Sequence, residues 1–226
     1  MTIANSFDHP KHKRNPLLGG SLGLLFLTLL LIGCSGGPDR VQLPSFDPSG
    51  AASKAMEIYD TDGDGFIAGE ELERAPGLKA AMENLDTDKD GKVSEDEISA
   101  RVAAWRSQGI GLMRFTCDVV LDGKGVEGAV VTMVPEEFLK NTIQEATGET
   151  DAFGTASPRI PKEKRPSPSD PPGVQSGIYH VKISKIVGGK ETIPAKYNEE
   201  TTLGQEVSMD DKSILNKQVV YSMKSN

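Results

Sequence analysis

Two twelve-residue stretches, Asp60 to Glu71 and Asp86 to Glu97, carry a carboxylate at positions 1, 3, 5 and 12 and a glycine at position 6. A chain that turns tightly about one ion must aim oxygens inward at its early positions. It must then reverse direction where a side chain would clash, which Gly65 and Gly91 permit because glycine adopts positive φ without penalty. A hard divalent cation held by oxygen ligands suits this pattern.

In the first stretch Asp60, Asp62 and Asp64 supply the early oxygens and Glu71 closes the shell with two; Asp86, Asp88, Asp90 and Glu97 repeat the arrangement. Position 7 contributes a backbone carbonyl, so Phe66 and Lys92 are suitable there, and position 9, which acts through water, is Ala68 or Ser94. Ile67 and Val93 at position 8 can pair as a short antiparallel ribbon, so that two ions share one folding unit. One such stretch can arise in a solvated acidic turn, whereas two complete ones argue for metal sites. Residues 48–107 resemble the EF-hand family. The resemblance implies two bound Ca2+ ions.

The flanking residues fit helices. Ala52, Met56 and Tyr59 recur at helical spacing after Pro48, and Ile98, Val102 and Trp105 form an apolar stripe after the second loop. Leu72, then Leu78, Met82 and Leu85, suggest two short helices broken at Ala75-Pro76-Gly77. The connection from 72 to 85 is shorter than in the sensor members of the family, which argues against a large opening motion. Trp105 and the methionines read as filling for a small core; the alternative is a groove for a protein partner.

The N-terminus has Lys11, Lys13 and Arg14, then an apolar run from Leu17 to Ile32, then Gly33-Cys34. Cationic residues, a short apolar run and a small residue before cysteine read as an export signal. They resemble the lipobox of bacterial lipoproteins, in which Cys34 becomes the lipidated first residue; an uncleaved membrane anchor is the alternative. Removing residues 1–33 takes Lys11, Lys13, Arg14 and Asp8 away, lowering the formal charge from −8 to −10. So acidic a chain is not expected to bind nucleic acid. With Cys34 modified, Cys117 has no partner for an intramolecular disulfide, and its place among Met113, Phe115, Val119 and Leu121 reads as a core position. Residues 34–47 read as a flexible spacer after the lipid.

From Gly111 onward the apolar period becomes two. Strands are expected at 113–121 and 126–134 around the turn Asp122-Gly123, and further at 152–160, 177–186, 205–208 and 218–223, which together indicate an antiparallel β-sandwich. The segments 121–132, 150–156 and 177–183 resemble, in order, three pieces of carboxypeptidase-regulatory-like (transthyretin-like) sandwich domains. That resemblance implies an accessory module over residues 110–224 without catalysis of its own. Residues 191–207 resemble a tail segment of small bacterial envelope lipoproteins, and the stretch from Pro161 to Pro172 reads as a solvated loop. The expected fold is α+β, with an all-α pair over 48–108 and a β-sandwich.

Catalysis by serine or cysteine needs a base, and after the leader only His180 remains, on the face of its strand opposite Tyr179, Val181 and Ile183. The acidic pairs Glu70-Glu71 and Glu136-Glu137 read as a ligand, a helix cap and surface charge. The expectation is a non-enzymatic calcium-binding lipoprotein, lipid-anchored outside the cytoplasm, whose sandwich meets an envelope protein or polysaccharide. A calcium-responsive sensor presenting Met82, Leu85 and Trp105 and an envelope hydrolase are the alternatives.

Overall fold

The first helix starts where its capping chemistry dictates. Asp47 accepts a hydrogen bond from the Gly50 N–H at 3.2 Å, and Pro48 occupies the first helical position, where its missing N–H costs nothing. In the computed structural model, which describes residues 42–216 and 219–225, helix α1 spans Pro48–Tyr59. The proposed leader, Cys34 and the first part of the spacer lie outside the described residues.

Strand β1 (Phe66–Ile67) leads into α2 (Gly69–Glu73), α3 (Pro76–Ala80) and α4 (Met82–Leu85), followed by β2 (Val93–Ser94) and α5 (Glu95–Gln108). Ile67 opposes Val93 and Phe66 opposes Ser94 in an antiparallel ribbon, the pairing expected from position 8 of each loop. Between the loops there are three helical pieces instead of two. Proline ends the first break as expected, and a second comes at Ala81, whose backbone at ψ 0° tightens the turn between α3 and α4.

The β region comprises β3 (Cys117–Leu121), β4 (Lys124–Gly125), β5 (Val130–Pro135), β6 (Ala146–Glu149), β7 (Thr155–Ala156), β8 (Gly177–Ser184), β9 (Ile186–Val187), β10 (Lys190–Glu191) and β11 (Gly204–Val207). Helix α6 (Lys212–Leu215) and β12 (Val220–Met223) complete it. One sheet runs β11-β8-β5-β6, and the other is built on β3, paired with β12, β4 and β7. Asp122-Gly123 forms the expected two-residue turn, with φ of 50° and 80°, joining Leu121 to Lys124.

Four expectations are corrected. The run 126–134 is not the hairpin partner of β3 throughout: β4 fills that role and the chain then crosses to the other sheet as β5. Strand β12 joins β3 in parallel, because it arrives from the first sheet through α6, with no tight turn to impose antiparallel pairing. Strand β6 was not foreseen, since Ala146-Thr-Gly-Glu149 shows no apolar alternation. The stretch from Pro161 to Pro172 is more ordered than a solvated loop, with Ser167 and Asp170 buried and the Asp170 carboxylate accepting from Ser167 N at 3.0 Å.

Within residues 185–198 the Glu191 carboxylate accepts from the backbone N–H groups of Lys185, Thr192 and Ile193 and from Asn198 Nδ2. A single side chain thus satisfies the donors of a connection that has little sheet of its own. Among the described residues no helix is long and apolar enough to cross a membrane.

Helix α3 lies directly on the first sheet. A Cβ on Gly77 would stand 2.6 Å from Ile178 Cγ2, and one on Gly204 would stand 1.9 Å from the Pro76 carbonyl oxygen. This explains why Ile178 is fully buried although it shares a strand face with His180 and Lys182. Gly204→Ala is therefore expected to lower stability by about 1–3 kcal/mol, the cost typical of overpacking. Urea unfolding would check it, and a loss below about 0.5 kcal/mol, the scatter of neutral surface changes, would contradict the contact.

Candidate metal centre

Each loop gathers its oxygens through hydrogen bonds to its own backbone. In the first, Asp60 accepts from Gly63 N at 2.8 Å and Gly65 N at 3.1 Å, and Asp62 accepts from Asp64 N at 3.0 Å. Glu71 reaches back across the loop: one carboxylate oxygen accepts from Thr61 N at 2.6 Å and the other from Ala68 N at 3.1 Å. In the second, Asp86 accepts from Asp90 N and Gly91 N, while Glu97 accepts from Thr87 N at 2.8 Å and Ser94 N at 2.9 Å. Ser94 also caps α5 by accepting from Glu97 N. Burial works against the charge of Glu71 and of Glu97, but these N–H donors outweigh it and both carboxyls lie below the usual range.

The outcome is two convergent sets, Asp60 with Asp62 and Glu71, and Asp86 with Asp88 and Glu97, each with one oxygen per residue within 4.8 Å of the others. Oxygens at about 2.3–2.6 Å from a common calcium ion can lie no farther apart than about twice that distance, so the donor sets fit such an ion. Asp64 and Asp90 stand outside these sets; their Oδ1 atoms accept from Phe66 N and Lys92 N. The Phe66 and Lys92 carbonyls would offer the main-chain oxygens. Lys92 stands 3.7 Å from Asp64 Oδ2 and 4.6 Å from the centre of the Phe66 ring, linking the loops at their exposed side.

The loops differ in balance. The first holds five carboxylates and no cation; the second holds six carboxylates with Lys89 and Lys92. At position 4, where both loops turn left-handed, the first has Gly63 at φ 73° and the second has Lys89 at φ 63°.

Two buried carboxylates from the β region hold the helices on which the loops are mounted. Glu136, 2 % exposed, accepts from the Tyr59 hydroxyl at 2.6 Å and from Gly77 N at 2.8 Å. Tyr59 is the residue before Asp60, and Gly77 N is one of the free N–H groups of the first turn of α3. Glu206, 1 % exposed, accepts from Arg101 Nε at 2.6 Å, Trp105 Nε1 at 2.9 Å and Asn84 Nδ2 at 2.8 Å. Arg101 completes its fork on Asp210 with two bonds of 2.8 Å, which hold that carboxyl well below its usual range. Burial pushes both Glu136 and Glu206 upward, against the pull of their donors. Three donors on Glu206 call for the ionised form, which only accepts.

The adjacent pair Glu136-Glu137 is thus not surface charge as a whole. Sequence reasoning missed Glu136 and Glu206 because their burial depends on the helical pair covering the sheet, and nothing local marks it. His180 is also not a solvent-facing side chain: it is 22 % exposed and 4.0 Å from Glu136. Burial, with Lys182 and Lys140, lowers its pKa to about 4, so the pair is not ionic at neutral pH. Cys117 is buried as expected and its thiol is pushed up to about 12.

The EF hand family matches residues 54–75 and 78–102, covering each loop with helical residues on both sides. No curated protein matches the chain. The family match and the convergent acidic sets support calcium binding by this region.

Removing the carboxylate in Glu206→Ala strands the Arg101 Nε–H and the Trp105 N–H, and is expected to cost about 3–5 kcal/mol, as for a broken buried ion pair. Chemical denaturation would measure it; a cost under about 1 kcal/mol, that of an exposed pair, would show that the contact does not hold the helices.

Proposed function

We propose that this chain is a calcium-binding envelope lipoprotein, in which two ions brace the helical pair and the β region serves as a binding or scaffolding module of the carboxypeptidase-regulatory-like kind. The observation that carries the reading is the duplicated cage: in both loops the position-12 glutamate is gripped by N–H groups from the loop's two ends, leaving the early aspartates converging on one point.

Several features favour bracing over sensing. A sensor exposes an apolar groove when its helices part. Here Leu85 and Trp105 are each 1 % exposed, and the indole N–H is bonded to Glu206 of the β region. Two of the three side chains a protein partner would need are thus buried within the chain itself, and Met82 is half-buried. A non-catalytic role accords with a thiol kept protonated and with Glu136 engaged by Tyr59 and Gly77.

Asp60, Asp62 and Glu71 in one loop and Asp86, Asp88 and Glu97 in the other would hold the ions, whose charge would compensate these clustered carboxylates. Extracytoplasmic modules of this type bind at about 10⁻⁴–10⁻³ M. With free calcium at a hundredfold over Kd, each site would add about 2.7 kcal/mol to stability. Calorimetric titration of the mature chain is expected to give two ions per molecule, and Asp60→Ala combined with Asp86→Ala none; full binding in that double variant would refute the assignment.

Export and anchoring follow from the Leu31-Ile-Gly-Cys34 pattern together with the cationic start. The Cys34→Ala variant is expected to lose the lipid and leave the membrane fraction of expressing cells. Unchanged sedimentation with membranes would favour an uncleaved anchor.

A further inference from the structure

A cleft of about 840 Å3 opens over β6 and β7, and no residue of the metal loops lines it. Its size falls within the range of about 300–1,000 Å3 usual for small-ligand sites. Three cations line it, Arg159, Lys162 and Arg165, in a chain of formal charge −8. None of the three takes part in an ion pair among the described residues.

One of these cations is fixed in place without being neutralised, and a second is anchored by its backbone. Half-buried Arg165 donates through Nε to the Ile160 carbonyl and through Nη1 to the Asp170 carbonyl, both at 3.2 Å. Uncharged oxygens therefore position the guanidinium, while the Asp170 carboxylate is turned to Ser167 N. Arg159 is held through its backbone, which exchanges hydrogen bonds of 2.9 and 3.1 Å with Thr147 on the edge of β6. A pre-positioned arginine loses little side-chain freedom when it binds an oxyanion, and its planar fork matches carboxylate and phosphate.

A second cleft of about 270 Å3 shares Ser157 and Arg159 with the first and adds Arg114 to its lining. The four cations are thus spread over two neighbouring clefts that share Arg159, which suits a ligand with repeated negative charges better than a single small anion. Thr147 and Ser157 supply hydroxyls, Pro158 and Pro161 supply apolar faces, and Glu149 is an acceptor for hydroxyl donors. A bare phosphate offers Glu149 nothing, whereas a sugar unit does.

We propose that the neighbouring clefts at Arg114, Arg159, Lys162 and Arg165 bind an anionic saccharide chain, whose sugar units bear carboxylate or phosphate groups. This rests on the reading of the β region as a binding module and gives that module its ligand class.

The test uses the full mature chain in calcium-containing buffer, titrated with four probes: a hexuronate tetrasaccharide, its neutral methyl ester, a phosphomannan fragment and inorganic phosphate. At least one acidic saccharide is expected to bind ten-fold or more tightly than the neutral ester and the inorganic phosphate, and to weaken as salt rises; the tighter of the two identifies the acid group. Arg159→Gln with Lys162→Gln, which leaves the Arg165 contacts intact, is expected to weaken that binding ten-fold or more without changing the melting temperature or the calcium stoichiometry. Adding Arg165→Gln should weaken it further.

No saturable binding of either acidic saccharide overturns the proposal, as does equal binding of the neutral ester, of inorganic phosphate or by the double variant. Capture on phosphatidylglycerol vesicles through the same cations, without saccharide binding, replaces it with a membrane surface. Saccharide binding that persists in a chain unable to hold calcium removes the metal reading alone.

Discussion

Carboxylates buried at the seam between helices and strands determine how the described part of the molecule holds together. Taking an ionised side chain out of water costs several kcal/mol unless donors surround it, and Glu206 meets that condition only when α4, α5 and β11 are all in place. Three of its partners, Asn84, Arg101 and Trp105, come from the second helix–loop–helix, and Asp210 extends the network through Arg101. Glu136 acts likewise on α1 and α3 through Tyr59 and Gly77. Each carboxylate makes the other side's placement mandatory, because either would be stranded in an apolar seam if the two regions parted.

The loops stand on the same helices. Tyr59 precedes the first aspartate of one loop, and Asn84 lies two residues before the first aspartate of the other. Whatever fixes these helix ends also fixes the entry points of the acidic turns. By linkage, whatever factor a docked seam adds to the affinity for an ion, the bound ion would add to the docking equilibrium. The short pieces α2, α3 and α4 are too brief to be stable as isolated helices; α3 owes its order to packing against β8 and β11, and α2 and α4 pack on α3.

The sequence revealed the parts whose chemistry is local. Gly at position 6, the Ile67–Val93 pairing, the Asp47-Pro48 start of α1 and the Asp122-Gly123 turn each follow from a few neighbouring residues and appear where expected. The parts that depend on distant surfaces were hidden. Strand alternation puts His180 on the face opposite Tyr179, Val181 and Ile183, but α3 covers that end of β8. Glu136 reads as half of a surface pair, yet Tyr59 and Gly77 claim it. The parallel pairing of β12 depends on a crossover between sheets, and the cations of residues 159–165 come to line a cleft beside β6 only when residue 159 is bridged to residue 147. Apolar period and loop spacing carry no record of such meetings.

The chain has one tryptophan, and it sits at the seam with its indole N–H on an anion contributed by the opposite region. That placement makes the molecule its own gauge. While helices and strands remain docked, the ring is dry, tilted against Phe46 at a centroid distance of 5.9 Å and next to a fixed charge. Separation floods all of that at once, so the emission colour of a single fluorophore reports whether the two halves are joined, in any variant and at any ion concentration, without a label.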